Sequence, residues 1–233
     1  MAVRNNINKR GKGAHPSSLA MPAPQRGTGT VRIVSGRWRR SVIQVCAAEG
    51  LRPTSERVRE TVFDWIVHLF GTIEGIRVLD LFAGSGAMGL EAASRGAQRV
   101  DWTDVNRAGI AAIRATLAKL GAKEGFAAHV TDAFRFLNAS PDLYDLIVID
   151  PPFAADLQKR AVEASLVRLA PEGLLYVESP AERLPDDVIE AFGLVRVRSG
   201  SAGAVRFELL ARAGTAMAAQ AKLSKEEKRN RKA

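Results

Sequence analysis

The chain has 233 residues, 46% of them apolar and 25% charged, which is enough apolar content for one globular domain with a sizeable core and spare peptide at its ends. Even its most apolar segment, TVFDWIVHLF, is broken by Asp64 and His68 and falls short of the roughly 18 residues of a membrane span; no signal-peptide core opens the chain, and one cysteine, Cys46, excludes an internal disulfide. A soluble protein of a reducing cytoplasm is expected, with no membrane partner, and with no metal because His15, His68 and His129 stand far apart with no cysteine at ligand spacing.

The net charge of +9 is unevenly placed. Residues 1–30 carry +5 and residues 213–233 carry +4, whereas residues 31–212 balance. Within that body residues 31–59 hold seven arginines against two glutamates, and the remainder is acidic. A polyanion would be drawn to both ends and to one N-terminal flank, although charged ends also serve solubility alone.

Residues 1–29, with NKRGKGAHPSS and PAPQRGTGT, have the composition of a disordered basic arm. Residues 30–70 read as a hairpin and a helix. VRIVSGRWRRSVIQV alternates around Ser35 and Gly36, and LRPTSERVRETVFDWIVHLF places Val58, Val62, Ile66 and Leu69 at helical spacing after Pro53 and a Thr54 N-cap. From Ile76 strand and helix alternate. Strands are expected near 76–82, 98–103, 127–131, 144–149, 173–178, 193–198 and 204–210, with helices near 86–95, 106–120, 133–138, 156–169 and 185–191. That alternation predicts an α/β fold over residues 71–212, a seven-stranded, mostly parallel, doubly wound sheet. The short SGSAG turn makes the last two strands an antiparallel hairpin, which is not the arrangement of a dinucleotide-binding sheet. Residues 213–233 read as a basic tail.

VLDLFAGSGAMGLEAASRGA carries Gly84, Gly86 and Gly89 in G-x-G-x-x-G spacing, directly after a strand and opening a helix. The spacing alone fits a dinucleotide site. Asp80 argues otherwise, since a carboxylate at the end of that strand repels a pyrophosphate and attracts the ammonium of S-adenosylmethionine. Asp104, 20 residues beyond Gly84, suits a ribose diol, and Asp132 in HVTDAFRF can accept from an adenine amine or cap a helix. Phe82 and Ala133, next to these acids, are placed in the same site.

YDLIVIDPPF ends a strand buried on both faces with an acid, two prolines and a ring. Proline fixes φ and removes a donor, so Asp150, Pro151, Pro152 and Phe153 leave the sheet in one rigid direction at the edge where open α/β sheets bind ligands. An exocyclic amine of a base is a poor nucleophile because its lone pair is conjugated with the ring. Two acceptors aimed at its N–H bonds, the Asp150 carboxylate and the Pro151 carbonyl, localise and orient that lone pair. Phe153 can stack on a base presented unpaired.

The series RIVSGRW, LRPTSERVRETVFDWI, LDLFAGSGAMGLEAASRGA, DPPF and LLYVES, in this order, resembles the RsmD family of bacterial 16S ribosomal RNA guanine-N2 methyltransferases over about residues 31–210. The resemblance implies a Rossmann-like methyltransferase fold and an adenosylmethionine donor held around Asp80, Gly84 and Gly86. It also implies catalysis by Asp150 to Phe153, on one guanine of 16S rRNA, the guanine-966 type, within the small ribosomal subunit or its precursor. Relatives usually carry glutamate where Asp104 falls, and Asp101 replaces it only if the strand register differs. Arg37, Arg39, Arg40, Arg52 and Arg57, on or beside folded elements of the basic flank, are expected to hold RNA in a fixed geometry.

DPPF by itself does not distinguish guanine N2 from adenine N6 or cytosine N4, so methylation of another RNA or of DNA stays open. An NAD-dependent oxidoreductase and a non-catalytic RNA-binding module are the alternatives from other classes.

Overall fold

The apolar run beginning at Val78 becomes the middle strand of the main sheet. The computed structural model describes Met1 and residues 29–45, 54–122, 124–152, 155–179 and 182–221. A hairpin of β1 (Gly29–Arg32) and β2 (Val42–Val45) leads to α1 (Glu56–Phe70) and then to β3 (Arg77–Asp80). There follow α2 (Ala87–Ser94), β4 (Arg99–Asp104), α3 (Arg107–Lys119), β5 (Phe126–Val130), α4 (Ala133–Ala139) and β6 (Tyr144–Ile149). The chain closes through α5 (Ala155–Ser165), a 3-10 turn (Leu166–Arg168), β7 (Leu169–Ser179), α6 (Asp186–Ala191), β8 (Leu194–Ala202) and β9 (Val205–Arg212).

The seven strands lie in the order β5-β4-β3-β6-β7-β9-β8. The first five are parallel, and β9 runs antiparallel to both β7 and β8; the expected SGSAG turn shortens to Gly203 and Ala204, because Ser199 to Ala202 continue β8 and pair with β9. Strand order reverses between β3 and β6, so a crevice opens there at the C-terminal edge, the place where such sheets bind ligands.

Side-chain alternation divides the core in two. Val78, Val100, Trp102, Leu146, Val148, Leu174 and Tyr176 meet α1, α2, α3 and the hairpin on one face. Leu79, Ile147, Ile149, Leu175 and Val177 meet α4, α5 and α6 on the other. Hairpin residues Val31, Ile33, Trp38, Ile43 and Val45 belong to the first of these cores. The segments 30–70 and 71–212 therefore share one hydrophobic interior.

Four local expectations are corrected. The hairpin does not turn tightly at Ser35 and Gly36: Arg32 pairs with Val42, Ile33 still bonds to Ser41, and Arg40 closes the longer loop at φ 70°. The loop's amides are taken instead by α2, since Val34 and Ser35 donate to Glu91 and Arg37 donates to the Ser94 carbonyl. Ser55, not Thr54, caps α1 by accepting from Val58 N–H, because the Thr54 hydroxyl is committed to Glu178. Strand β7 starts at Leu169 rather than near 173, running through Pro171 and Gly173 by a register shift opposite Tyr144 and Leu146. The basic tail does not begin at 213: residues 216–221 are helical, Met217, Ala218 and Ala221 are buried, and Gln220 Nε2 donates to the Leu69 carbonyl.

Cys46, Arg52, Pro53, Phe153, most of the N-terminal arm and residues 222–233 lie outside the described residues. Among the described residues no helix is long and apolar enough to cross a membrane.

Candidate active site

The glycine loop is shaped by what packs beneath it. Gly86 N-caps α2 at φ 73°, and a Cβ there would lie 2.7 Å from Ile113 of α3. At Gly89 a Cβ would lie 2.1 Å from the Trp102 ring nitrogen, so the helix sits directly on the β4 tryptophan. Trp102 Nε1 in turn donates to the Gly86 carbonyl at 3.2 Å. A buried indole with its N–H satisfied thus sets the height of the loop above the sheet.

Asp80 ends β3 beneath this loop. It is 3% exposed and accepts the Gly89 N–H at 3.0 Å, and among the described residues no Lys, Arg or His pairs with it. Burial, with a smaller push from Asp104, raises its carboxyl to about 7, while the Gly89 bond pulls the other way. A carboxylate held in this state gains most from a cation arriving at the loop.

Asp104 ends β4, with its oxygens on Gly84 N–H and Asn106 N–H, both at 2.8 Å. It therefore steadies the loop from the side, and its carboxylate retains lone pairs for further donors. Asp101 faces the opposite side of the sheet, bound to Arg99, His129 and the Tyr144 hydroxyl, so the register keeps Asp104 in the site. Asp132 caps α4 by accepting from Phe134 and Arg135 N–H through one oxygen, at 3.0 Å each. Its neighbour Ala133 is buried, and Phe82 is half-buried against the second core.

Asp150 follows β6 and is half-buried, with Pro151 buried and Pro152 exposed beyond it. Burial, then the charges of Glu178 and Asp80, push its carboxyl well above the usual carboxylate range. The structure thus brings Asp80, Gly84, Gly86, Asp104 and Asp150 to one edge of three adjacent strands.

Two residues at this edge were not singled out by their sequence alone. Val105 follows Asp104 and is 70% exposed, an apolar surface at the rim that a flat ring can cover. Its signal was a β-branched residue placed immediately after a strand-end acid. Glu178 near the end of β7 carries the Tyr176 hydroxyl at 2.7 Å and the Thr54 hydroxyl at 3.1 Å on one oxygen. Its signal was present in LLYVES, a motif whose chemistry no local pattern reveals.

The expected arginines separate into two places. Arg57 lies in the first turn of α1, just after the residue Thr54 that reaches Glu178, and is exposed there. Arg37, Arg39 and Arg40 are exposed in the hairpin loop, which is tied to Ser94 at the far end of α2. Arg37 lies over the rings of Trp38 and of Phe126, the first residue of β5, at 4.5 and 5.5 Å. These three sit at the N-terminal edge of the sheet, a helix length away from Asp150.

Residues 31–211 match the family described as conserved hypothetical protein 95. Ribosomal RNA small subunit methyltransferase D of Escherichia coli K12 is 39% identical over 159 residues, 67% of this chain and 78% of that one. Its Haemophilus influenzae counterpart is 33% identical over 160 residues, 66% of this chain and 81% of that one. The solved structure of the Escherichia coli protein yhhF superposes with a TM-score of 0.68 at 32% identity, covering 80% of this chain and all of that one. With the α/β methyltransferase sheet and its added hairpin matched over nearly the same span as the motifs, the chain belongs to the conserved hypothetical protein 95 family, that of the RsmD proteins.

Proposed function

We propose that the chain transfers a methyl group from S-adenosylmethionine to the exocyclic N2 of one guanine in 16S rRNA, the guanine-966 type, within the small ribosomal subunit or its precursor. The observation that carries this reading is the pairing of Asp80, a buried carboxylate without a cationic partner among the described residues, with Asp150 one strand away at the same edge. The naming of the relatives as small-subunit methyltransferases supports the RNA class.

The residues fit the donor. Asp80 is placed for its ammonium, the Gly84 to Gly86 turn for close approach of its backbone-facing side, Asp104 for the ribose hydroxyls, and Val105, Asp132 and Ala133 for the adenine. When bound, the donor supplies an electrophilic methyl group whose bonding pair returns to sulfur as the carbon–nitrogen bond forms.

Everything else falls to the chain. Asp150 and the Pro151 carbonyl accept the two N–H bonds of the target amine and aim its lone pair at the methyl carbon. The prolines fix that aim before the base arrives. A ligand ammonium at Asp80 neutralises one of the charges that raise the Asp150 carboxyl, which favours its accepting, ionised form. The methylated nitrogen then gives its extra proton to Asp150 or to water. Phe153 extends the same segment as a stacking surface.

Incubation with methyl-labelled adenosylmethionine and unmethylated 16S rRNA or small subunits, followed by mass spectrometry of the nucleosides, tests the reading. N2-methylguanosine is the expected product. N6-methyladenosine or N4-methylcytidine would replace the assignment of the base, and no transfer to any RNA would remove the assignment of the reaction.

A further inference from the structure

The glycine loop leaves β3 by changing partners, and one hydroxyl makes the change. Asp80 pairs with Trp102 of β4 and with Val148 of β6, and the next residue, Leu81, donates its N–H to the Val148 carbonyl at 3.0 Å. A residue in a regular parallel ladder turns its N–H and its carbonyl to the same neighbouring strand. One more step of that ladder would therefore set the Asp150 N–H on the Leu81 carbonyl and join β3 to β6 across the place where the crevice opens. The Leu81 carbonyl instead accepts the hydroxyl of Thr103, on β4, at 2.6 Å. Two residues later Ala83 donates its N–H to the Thr103 carbonyl at 2.9 Å. Thr103 thus holds both ends of the turning segment 81–83, one with its side chain and one with its main chain, and draws it toward β4.

Leu81 and Thr103 are both wholly buried, so water does not stand in for either bond. A buried carbonyl that loses its donor takes another, and the one that ladder geometry offers to Leu81 is the Asp150 N–H. The neighbours of Thr103 on β4 act on the loop farther along. Asp104 accepts the Gly84 N–H at 2.8 Å, and Trp102 donates to the Gly86 carbonyl at 3.2 Å. Those contacts shape the loop, whereas the Thr103 hydroxyl acts where the loop parts from the sheet.

From this exchange of partners we infer that Thr103 is a positioning residue for the methyl donor: its hydroxyl keeps the Leu81 carbonyl turned away from β6, and so keeps the crevice between the glycine loop and Asp150 open. Without the hydroxyl a closed ladder competes with the open crevice. A donor that binds the open form alone then loses affinity in proportion to the fraction that stays open. The inference rests on the adenosylmethionine reading of the site and deepens it, adding a residue that acts through Leu81 rather than on the ligand.

Two substitutions separate the hydroxyl from the packing. Thr103→Val keeps the branched shape and loses the donor, and Thr103→Ser keeps the donor and loses a methyl group. Adenosylhomocysteine binding to the full chain is measured by titration calorimetry, stability by denaturant unfolding, and methylation of 16S rRNA as kcat and as KM for adenosylmethionine. Thr103→Val is expected to weaken adenosylhomocysteine about tenfold, the scale of one hydrogen bond. Its KM for the donor should rise equally with kcat held within about twofold, since saturating donor restores the open crevice. Thr103→Ser should bind within about twofold of wild type even though the lost methyl lowers its unfolding midpoint. A purely structural role would make affinity follow stability in both variants. Wild-type affinity in Thr103→Val, equal losses in the two variants, or a fall in kcat at unchanged KM overturns the role of Thr103. Should Thr103→Val not fold, Thr103→Ala set against Thr103→Ser makes the same comparison: weaker binding by Ala of about tenfold upholds the role, and equal binding overturns it. If wild type itself binds no adenosylhomocysteine, the donor assignment falls, and the inference with it.

Discussion

Glu91 of α2 accepts the backbone N–H of Val34 at 2.8 Å, a bond that joins the helix opened by the glycine loop to the hairpin that precedes it by more than fifty residues. The same fully buried carboxylate takes Ser35 N–H at 2.9 Å and the Arg95 side chain at 2.9 Å, with Arg59 at 3.9 Å. Replacing Glu91 by Ala leaves two amides and the Arg95 Nε without their acceptor and removes the charge that faces the buried Arg59. Removal of one partner from a buried charge cluster costs about 3–5 kcal/mol. Denaturant unfolding of Glu91→Ala should show a loss of that order, and a loss below about 1 kcal/mol would mean that water replaces the carboxylate.

The raised Asp80 carboxyl has two consequences of opposite sign. Its value of about 7 exceeds that of an unfolded aspartate, so the folded chain holds the extra proton; the associated stability is full at low pH and is lost as pH rises through about 7. Asp80→Asn removes this loss and should be the more stable protein at pH 8 in thermal or denaturant unfolding, by up to about 4 kcal/mol. Ligand affinity runs the other way. The ammonium of adenosylhomocysteine pairs with the ionised form, so titration calorimetry should show wild-type affinity rising from pH 6 to pH 8. Asp80→Asn should bind about ten- to a hundredfold more weakly at pH 8 and be nearly flat across that range.

Asp150 acts on the amine and not on the donor. Asp150→Ala is expected to lower single-turnover methylation by about a hundredfold or more while adenosylhomocysteine affinity changes little. Asn keeps an accepting oxygen, so Asp150→Asn should retain more activity than Ala if orientation is the larger contribution. Equal loss in the two variants, with intact folds, would make charge or proton acceptance the larger one.

The separation of the arginines divides their effects. Arg57 stands beside the Thr54 loop at the site, so Arg57→Ala should reduce turnover at saturating RNA. Arg39 and Arg40, at the opposite edge, should contribute phosphate attraction, and their joint replacement by Ala should weaken binding with turnover kept. For single-stranded RNA, each phosphate no longer neutralised flattens the log–log salt slope by about 0.7. Removal of residues 2–28 and 222–233 is expected to behave like the Arg39 and Arg40 pair. Turnover abolished in the shortened chain and kept in Arg57→Ala would assign RNA positioning to the ends.

Period and punctuation made most of this fold legible beforehand. Strand β6 was a run of apolar residues stopped by two prolines, and β9 had to return antiparallel because SGSAG is too short to cross over. The first residues of β7 are not legible, because a proline and a glycine two positions apart carry no strand signal, and only a neighbouring strand with a register shift lets the chain pass through Pro171 and Gly173. The donor half of the candidate site was readable because its acids sit at strand ends. Glu178 was not, since its role depends on Thr54, and nothing local connects positions 124 apart. The arginines were grouped by proximity in sequence, whereas the hairpin carries three of them to the far edge of the sheet.

The strand order also dictates a schedule of assembly. The donor-side elements, from β1 to β5, lie in one continuous stretch that is synthesised before β6, while β7 becomes an inner strand only after β9, the last strand of the sheet in chain order, has paired with it. Pairings across so many residues are slow to form. A nascent chain can thus hold a formed glycine loop while Glu178 still lies on an open sheet edge, and chain terminations before Val205 should yield polypeptides that self-associate through β7 instead of short active enzymes.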